Sequence, residues 1–167
     1  MVTKLPKHAM IGAKALLHHK ISNRSTEDTD LLFKYSDLKK VINIFKKEKF
    51  TLVFNDKHSH ITAIKGNDTY DLLFTTDSDY HEVIDNAVDS VVTVNDLIFV
   101  LGNSDKHQNL VDLCVLYSTK RSLPGWRVLE RNHPQKMAHI RKHYARANVP
   151  SFVEKWDIEE ILQDLDE

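Results

Sequence analysis

Two stretches decide how this chain folds: Ser25-Thr26-Glu27-Asp28-Thr29-Asp30-Leu31-Leu32-Phe33 and Thr69-Tyr70-Asp71-Leu72-Leu73-Phe74. Each ends in a short apolar run of strand length and composition. Side chains alternate across a strand, so Asp28 and Asp30 share a face. An ionised carboxylate in a buried strand is costly unless it is paired or bound to a metal. Two on one face, joined by a third if Asp71 lies on a neighbouring strand, therefore mark a site. Three converging carboxylates suit Mg²⁺ held against a triphosphate.

Upstream, residues 8–11 are expected to form a short strand, Gly12-Ala13 a tight turn and residues 14–19 a short helix, before a polar loop at 22–26. Downstream, Ser36 or Asp37 is expected to cap a helix running to about Lys47, with Leu38, Val41, Ile42 and Phe45 on one apolar face. Residues 50–54 have strand composition. The runs 60–64 and 69–74 flank Lys65-Gly66-Asn67-Asp68, a hairpin signal that puts Asp71 in the sheet. Residues 91–94 suggest another strand, Asn95 the start of a helix, and 105–118 a second helix with Leu110, Leu113, Cys114 and Tyr117 on one face.

The chain has 167 residues, 41% hydrophobic and 28% charged, enough for a domain with a real core and unlike a disordered chain. Its net charge of −1 argues against nucleic-acid binding by overall charge. Cys114 is the one cysteine, so no internal disulfide forms, which fits a reducing compartment. No apolar run approaches a membrane span, and the first residues lack the apolar core of a signal peptide. A cytoplasmic protein without a membrane partner is expected. Ten histidines are present, His58 and His60 on one strand face among them, but their spacing supplies no zinc set.

The charge is uneven. Residues 120–146 hold eight Lys/Arg against Glu130, and 151–167 hold seven acids against Lys155. The basic segment from Lys136 to Arg146 is a helix candidate with two uses: holding RNA or DNA, or pairing with the acidic tail within the chain or in a dimer. Apolar residues from Phe152 to Leu165 suggest that the tail forms an amphipathic helix.

Met10-Ile11-Gly12-Ala13, a helix, Asp28-Thr29-Asp30 and Tyr70-Asp71-Leu72 together resemble the nucleotidyltransferase fold of the DNA polymerase β type. The likeness is to small bacterial and phage members, including abortive-infection toxins and antibiotic-modifying enzymes, and covers residues 8–118. It implies an α/β (α+β) fold: a mixed β-sheet flanked by helices over 1–118, with a helical C-terminal extension over 119–167. Two departures stand out. Ala13 replaces a Gly or Ser, and Val100, Gln108 and Asn109 occupy positions where relatives often carry Lys, Lys and Asp.

The resemblance implies Mg²⁺-dependent transfer of a nucleotidyl group from an NTP to a hydroxyl-bearing acceptor: RNA, protein or a small molecule. Asp28, Asp30 and Asp71 would be catalytic and hold two Mg²⁺ ions, with Asp71 helping to activate the attacking hydroxyl. Gly12, Ala13 and Lys14 would face the nucleotide, Gly12 by letting the backbone approach phosphate, and Arg24 and Ser25 would touch it from the loop. The alternative is a catalytically weakened protein of this fold, acting as a nucleotide- or RNA-binding module or as a partner in a toxin system.

Overall fold

The computed structural model describes residues 4–22, 26–55 and 59–147. The chain divides into two compact units, Met1–His19 with Asn23–Thr93, and Lys20–Ser22 with Val94–Glu167. Residue 118, where the resemblance ends, lies inside the second unit, near the end of a helix.

The first unit is a mixed five-stranded sheet with helices on both faces. Its strands are β1 (His8–Ile11), β2 (Asp28–Lys34), β3 (Thr51–Phe54), β4 (His60–Lys65) and β5 (Asp68–Thr75), in the order β1-β2-β5-β4-β3. Only β2 and β5 pair in parallel; the other neighbours are antiparallel. The expected hairpin joins β4 to β5, with Gly66 at φ +60 in its turn. The α/β class expected from the sequence is the class observed.

Strand alternation sorts the residues onto two faces. Leu31 and Phe33 of β2, Leu72 and Phe74 of β5, and Ile61 and Ala63 of β4 form a core with Val41 and Phe45 of α2 (Leu38–Lys47). Phe33 stacks on Phe74 at 5.5 Å, and Phe45, Phe50 and Tyr70 meet edge to face. Phe45 is fully buried, and its truncation to Ala would cost about 3–5 kcal/mol. The opposite face carries Ala9 and Ile11 of β1, Leu32 of β2, and the three aspartates. Here α1 (Gly12–His18) and α3 (Ser78–Asn86) pack on β1 and β2, burying Leu16, Val83 and Ile84.

Several elements depart from the sequence reading. The helix after β1 starts at Gly12 itself, so no separate turn intervenes. A 3₁₀ turn at Tyr35–Asp37 leads into α2, and the Asp37 side chain makes no capping bond. The strand expected at 91–94 reduces to single bridges at Val91, held to β1 by Met10 N–H donating to Ser90 C=O at 2.7 Å. The helix α3, capped by Asp77 Oδ1 accepting from Asp79 N–H at 2.8 Å, was not foreseen.

The second unit is helical: α4 (Val94–Gly102), α5 (His107–Thr119), α6 (Gly125–Asn132) and α7 (Pro134–Ala147). α5 packs on α4 and α7, and α6 on α4 and α7. Asn95 Oδ1 accepts from Gly125 N–H at 2.7 Å, tying the start of α4 to the start of α6. Among the described residues no helix is long and apolar enough to cross a membrane.

Candidate active site

The site is built at the start of β2 and in the middle of β5. In the parallel pair Asp30 is the direct partner of Asp71, and Asp28 that of Thr69. Directly paired residues project to the same side, so the three carboxylates share one face of two adjacent strands. Asp28 is exposed, while Asp30 and Asp71 are half-buried. The expectation of carboxylates within a buried strand is therefore corrected for Asp28. The strand's first residue lies at its solvated end, where an ionised group keeps its water.

Gly12 adjoins the pair. Ile11 is the register partner of Asp30, so the end of β1 delivers Gly12 beside that carboxylate. Gly12 has φ +72, and a Cβ there would lie 2.5 Å from Asp30 Oδ2. Two independent terms thus penalise a side chain here: backbone conformation and the space taken by the Asp30 carboxylate.

Asp71 is held from β4. Asp71 Oδ1 accepts from His60 Nε2 at 2.9 Å and from Thr62 Oγ1 at 3.0 Å. Thr62 is the register partner of Asp71, and His60 lies two residues along on the same face. The sequence reading missed both as site residues. Their signal was the alternation His60-Ile61-Thr62 opposite an acid-bearing strand, informative only once β4 and β5 are paired.

The remaining expected residues fare differently. Ala13 is the second residue of α1 and half-buried. Lys14 Nζ donates to Thr29 Oγ1 at 2.6 Å, so its amine is tied to β2 at the residue that strand alternation turns away from the face of Asp28 and Asp30. Arg24, Ser25 and His58 lie outside the described residues, as does the acidic tail.

In the second unit, Gln108 donates to Asp112 Oδ1 at 3.2 Å and Asn109 to Ser104 Oγ at 2.6 Å; Val100 is half-buried on α4. Two charges of the basic helix are committed within the unit. Lys136 Nζ donates to the carbonyls of Gly102 and Ser104 at 2.8 and 3.0 Å, and burial lowers its pKa. Arg141 makes a two-pronged pair with Glu130 at 2.7 and 3.0 Å, which holds the Glu130 carboxyl below its ordinary value.

The donor chemistry of the aspartates, hard carboxylate oxygens at paired positions, fits Mg²⁺. Among the described residues no three His, Cys, Asp or Glu side chains are gathered around one point. Mg²⁺ is commonly held by one or two carboxylates with substrate phosphates completing its shell. The chain matches no protein-family model and no curated protein.

Proposed function

We propose that this protein is a nucleotidyltransferase, moving a nucleotidyl group from an NTP to a hydroxyl-bearing acceptor. The observation that carries the reading is the Asp30–Asp71 register pair with Gly12 against the Asp30 carboxylate. Such a pair on one sheet face, beside a backbone segment stripped of its side chain, suits a phosphate chain and its cation.

Asp30 and Asp71 would hold Mg²⁺, with Asp28 at the solvated end of the same face. Bound there, the metal would offset charge on the triphosphate and lower the pKa of an attacking hydroxyl. Gly12, lacking a Cβ, leaves room for the Asp30 carboxylate close to its own backbone. His60 and Thr62 fix the Asp71 carboxylate through one oxygen, which orients the other. Lys14 is held to β2 through Thr29.

A second reading has its own support. One Asp71 oxygen already carries two hydrogen bonds, and Gln108 and Asn109 stand where relatives of the resembled family often carry Lys and Asp. On this reading the fold binds nucleotide or RNA, or a partner protein, without turnover.

Incubation with each α-labelled NTP and Mg²⁺ separates the two, with total RNA, protein extract and aminoglycosides as acceptors. Label transferred by the wild type and not by Asp30→Asn or Asp71→Asn establishes the enzyme and its acceptor class. Equal transfer by a folded Asp30→Asn variant rejects the assignment.

A further inference from the structure

The helical unit contains a cleft of about 580 Å³ between α5, α6 and α7, far richer in arginine than an ordinary apolar pocket. Arg121, Arg127 and Arg141 line it, with Glu130 the one acid among the described lining residues and Tyr117 and Trp126 as aromatic wall. The three guanidiniums are not equivalent. Arg141 is engaged by Glu130. Arg121 Cζ lies 4.6 Å from the ring centre of Tyr144 and 5.9 Å from that of Tyr117, and its Nη1 donates to Tyr144 Oη at 3.2 Å. That contact commits one N–H to Tyr144 and leaves the other guanidinium N–H groups for an oxyanion. Arg127, on α6, is exposed.

We infer that this cleft binds single-stranded nucleic acid, with Arg121 and Arg127 gripping phosphates. Three observations favour a strand over an acidic peptide. The pocket is too large for a lone phosphate. Cation and aromatic ring lie side by side, Arg121 Cζ 4.6 Å from the Tyr144 ring centre beside half-buried Tyr117, a pairing that suits phosphate and base together and that a carboxylate side chain does not use. Exposed basic residues flank the cleft's own in sequence, Lys120 beside Arg121 and Arg131 one helical turn after Arg127 on α6. Lys136, the natural first choice from sequence, is instead turned onto carbonyls of its own unit. The inference stands apart from the nucleotidyl-transfer reading, since it uses none of that site's residues.

The test is fluorescence anisotropy of the full chain with a labelled single strand of about 12 nucleotides, between about 50 and 200 mM salt. Arg127→Ala should weaken binding several-fold and reduce the slope of log affinity against log salt by about 0.7, the value for one phosphate on a single strand. Arg121→Ala with Arg127→Ala should double that change. Arg127 has no stacking role, so the first variant tests the grip without disturbing the fold, which circular dichroism checks. Lys39→Ala with Lys40→Ala, on exposed positions of α2, should change nothing. No binding by the wild type, an unchanged slope for Arg127→Ala, an equal loss in the α2 variant, or displacement of the strand by polyglutamate at equal charge would each overturn the inference.

Discussion

Replacing Gly12 by alanine tests the proposed site at its most constrained point without assuming any activity. At φ +72 an L-residue is strained by roughly 1–2 kcal/mol relative to glycine. The new Cβ would also sit 2.5 Å from Asp30 Oδ2, but 3.4 Å from Cγ and 3.7 Å from Cβ of the same side chain. Only the carboxylate tip clashes, so the relief is a rotation of Asp30 away from its preferred geometry, at about 0.5–1.5 kcal/mol. Gly12→Ala should therefore cost about 1.5–3.5 kcal/mol in total. In an Asp30→Ala background the second term vanishes and the cost should fall to about 1–2 kcal/mol. Native-state hydrogen exchange of the Leu31, Leu32 and Phe33 amides reads the opening of β2 directly, which matters because a chain of two units need not unfold in one step. An equal cost in both backgrounds would refute the contact between Gly12 and Asp30, and with it the geometry on which the site is built.

Other outcomes are expected at separate points. Asp30→Asn should abolish nucleotidyl transfer with thermal stability unchanged or raised, because it removes one of two neighbouring carboxylates; a folded variant that unfolds many degrees lower would contradict this. His60→Ala and Thr62→Val should each cost about 0.5–1.5 kcal/mol and be non-additive, since both groups serve the same Asp71 oxygen; strict additivity in urea unfolding would contradict the shared acceptor. Cys114 is buried, which pushes its thiol up to about 12, so it should resist thiol reagents at pH 8 until the chain opens; labelling at the rate of a free thiol would refute its burial. The same shift predicts stability that is full below the ordinary pKa of 9.0 and is lost as pH rises toward about 12, by at most ~1.4 kcal/mol per pH unit. Cys114→Ala should flatten that part of the curve.

What was legible in the sequence was local. Alternation exposed β2 and β5, Gly66-Asn67 exposed the hairpin, and the spacing of Leu38, Val41, Ile42 and Phe45 exposed α2. The pairing of Asp30 with Asp71 was not legible, because it joins strands that are not neighbours in the chain, and no local pattern sets that register. His60 stayed hidden for the same reason. The β-branched run Val91-Val92-Thr93-Val94 misled: tertiary packing overrode its propensity, and Leu97, Ile98 and Leu101 draw Val94 into a helix. α3 offered only Val83 and Ile84 as buried residues, too few to show a period, and α6 lay behind Pro124-Gly125, which resembles a turn more than a helix start.

The two faces of the sheet are linked through register. A slip of one residue between β2 and β5 would separate Asp30 from Asp71, and it would also turn Leu31 and Phe33 away from Leu72, Phe74 and the α2 core. The apolar face thus holds the acids in place: burying Phe33 against Phe74 and Phe45 in the core makes the alternative pairing far costlier than the repulsion between two half-buried carboxylates. That division of labour explains how β2 tolerates Asp30 three residues, and Asp28 five residues, from fully buried Phe33. It also locates the fragility of the site. Gly12 and the β4 donors adjust the carboxylates by fractions of an ångström, whereas a cavity at Phe33 or Phe74 would loosen the register that brings them together.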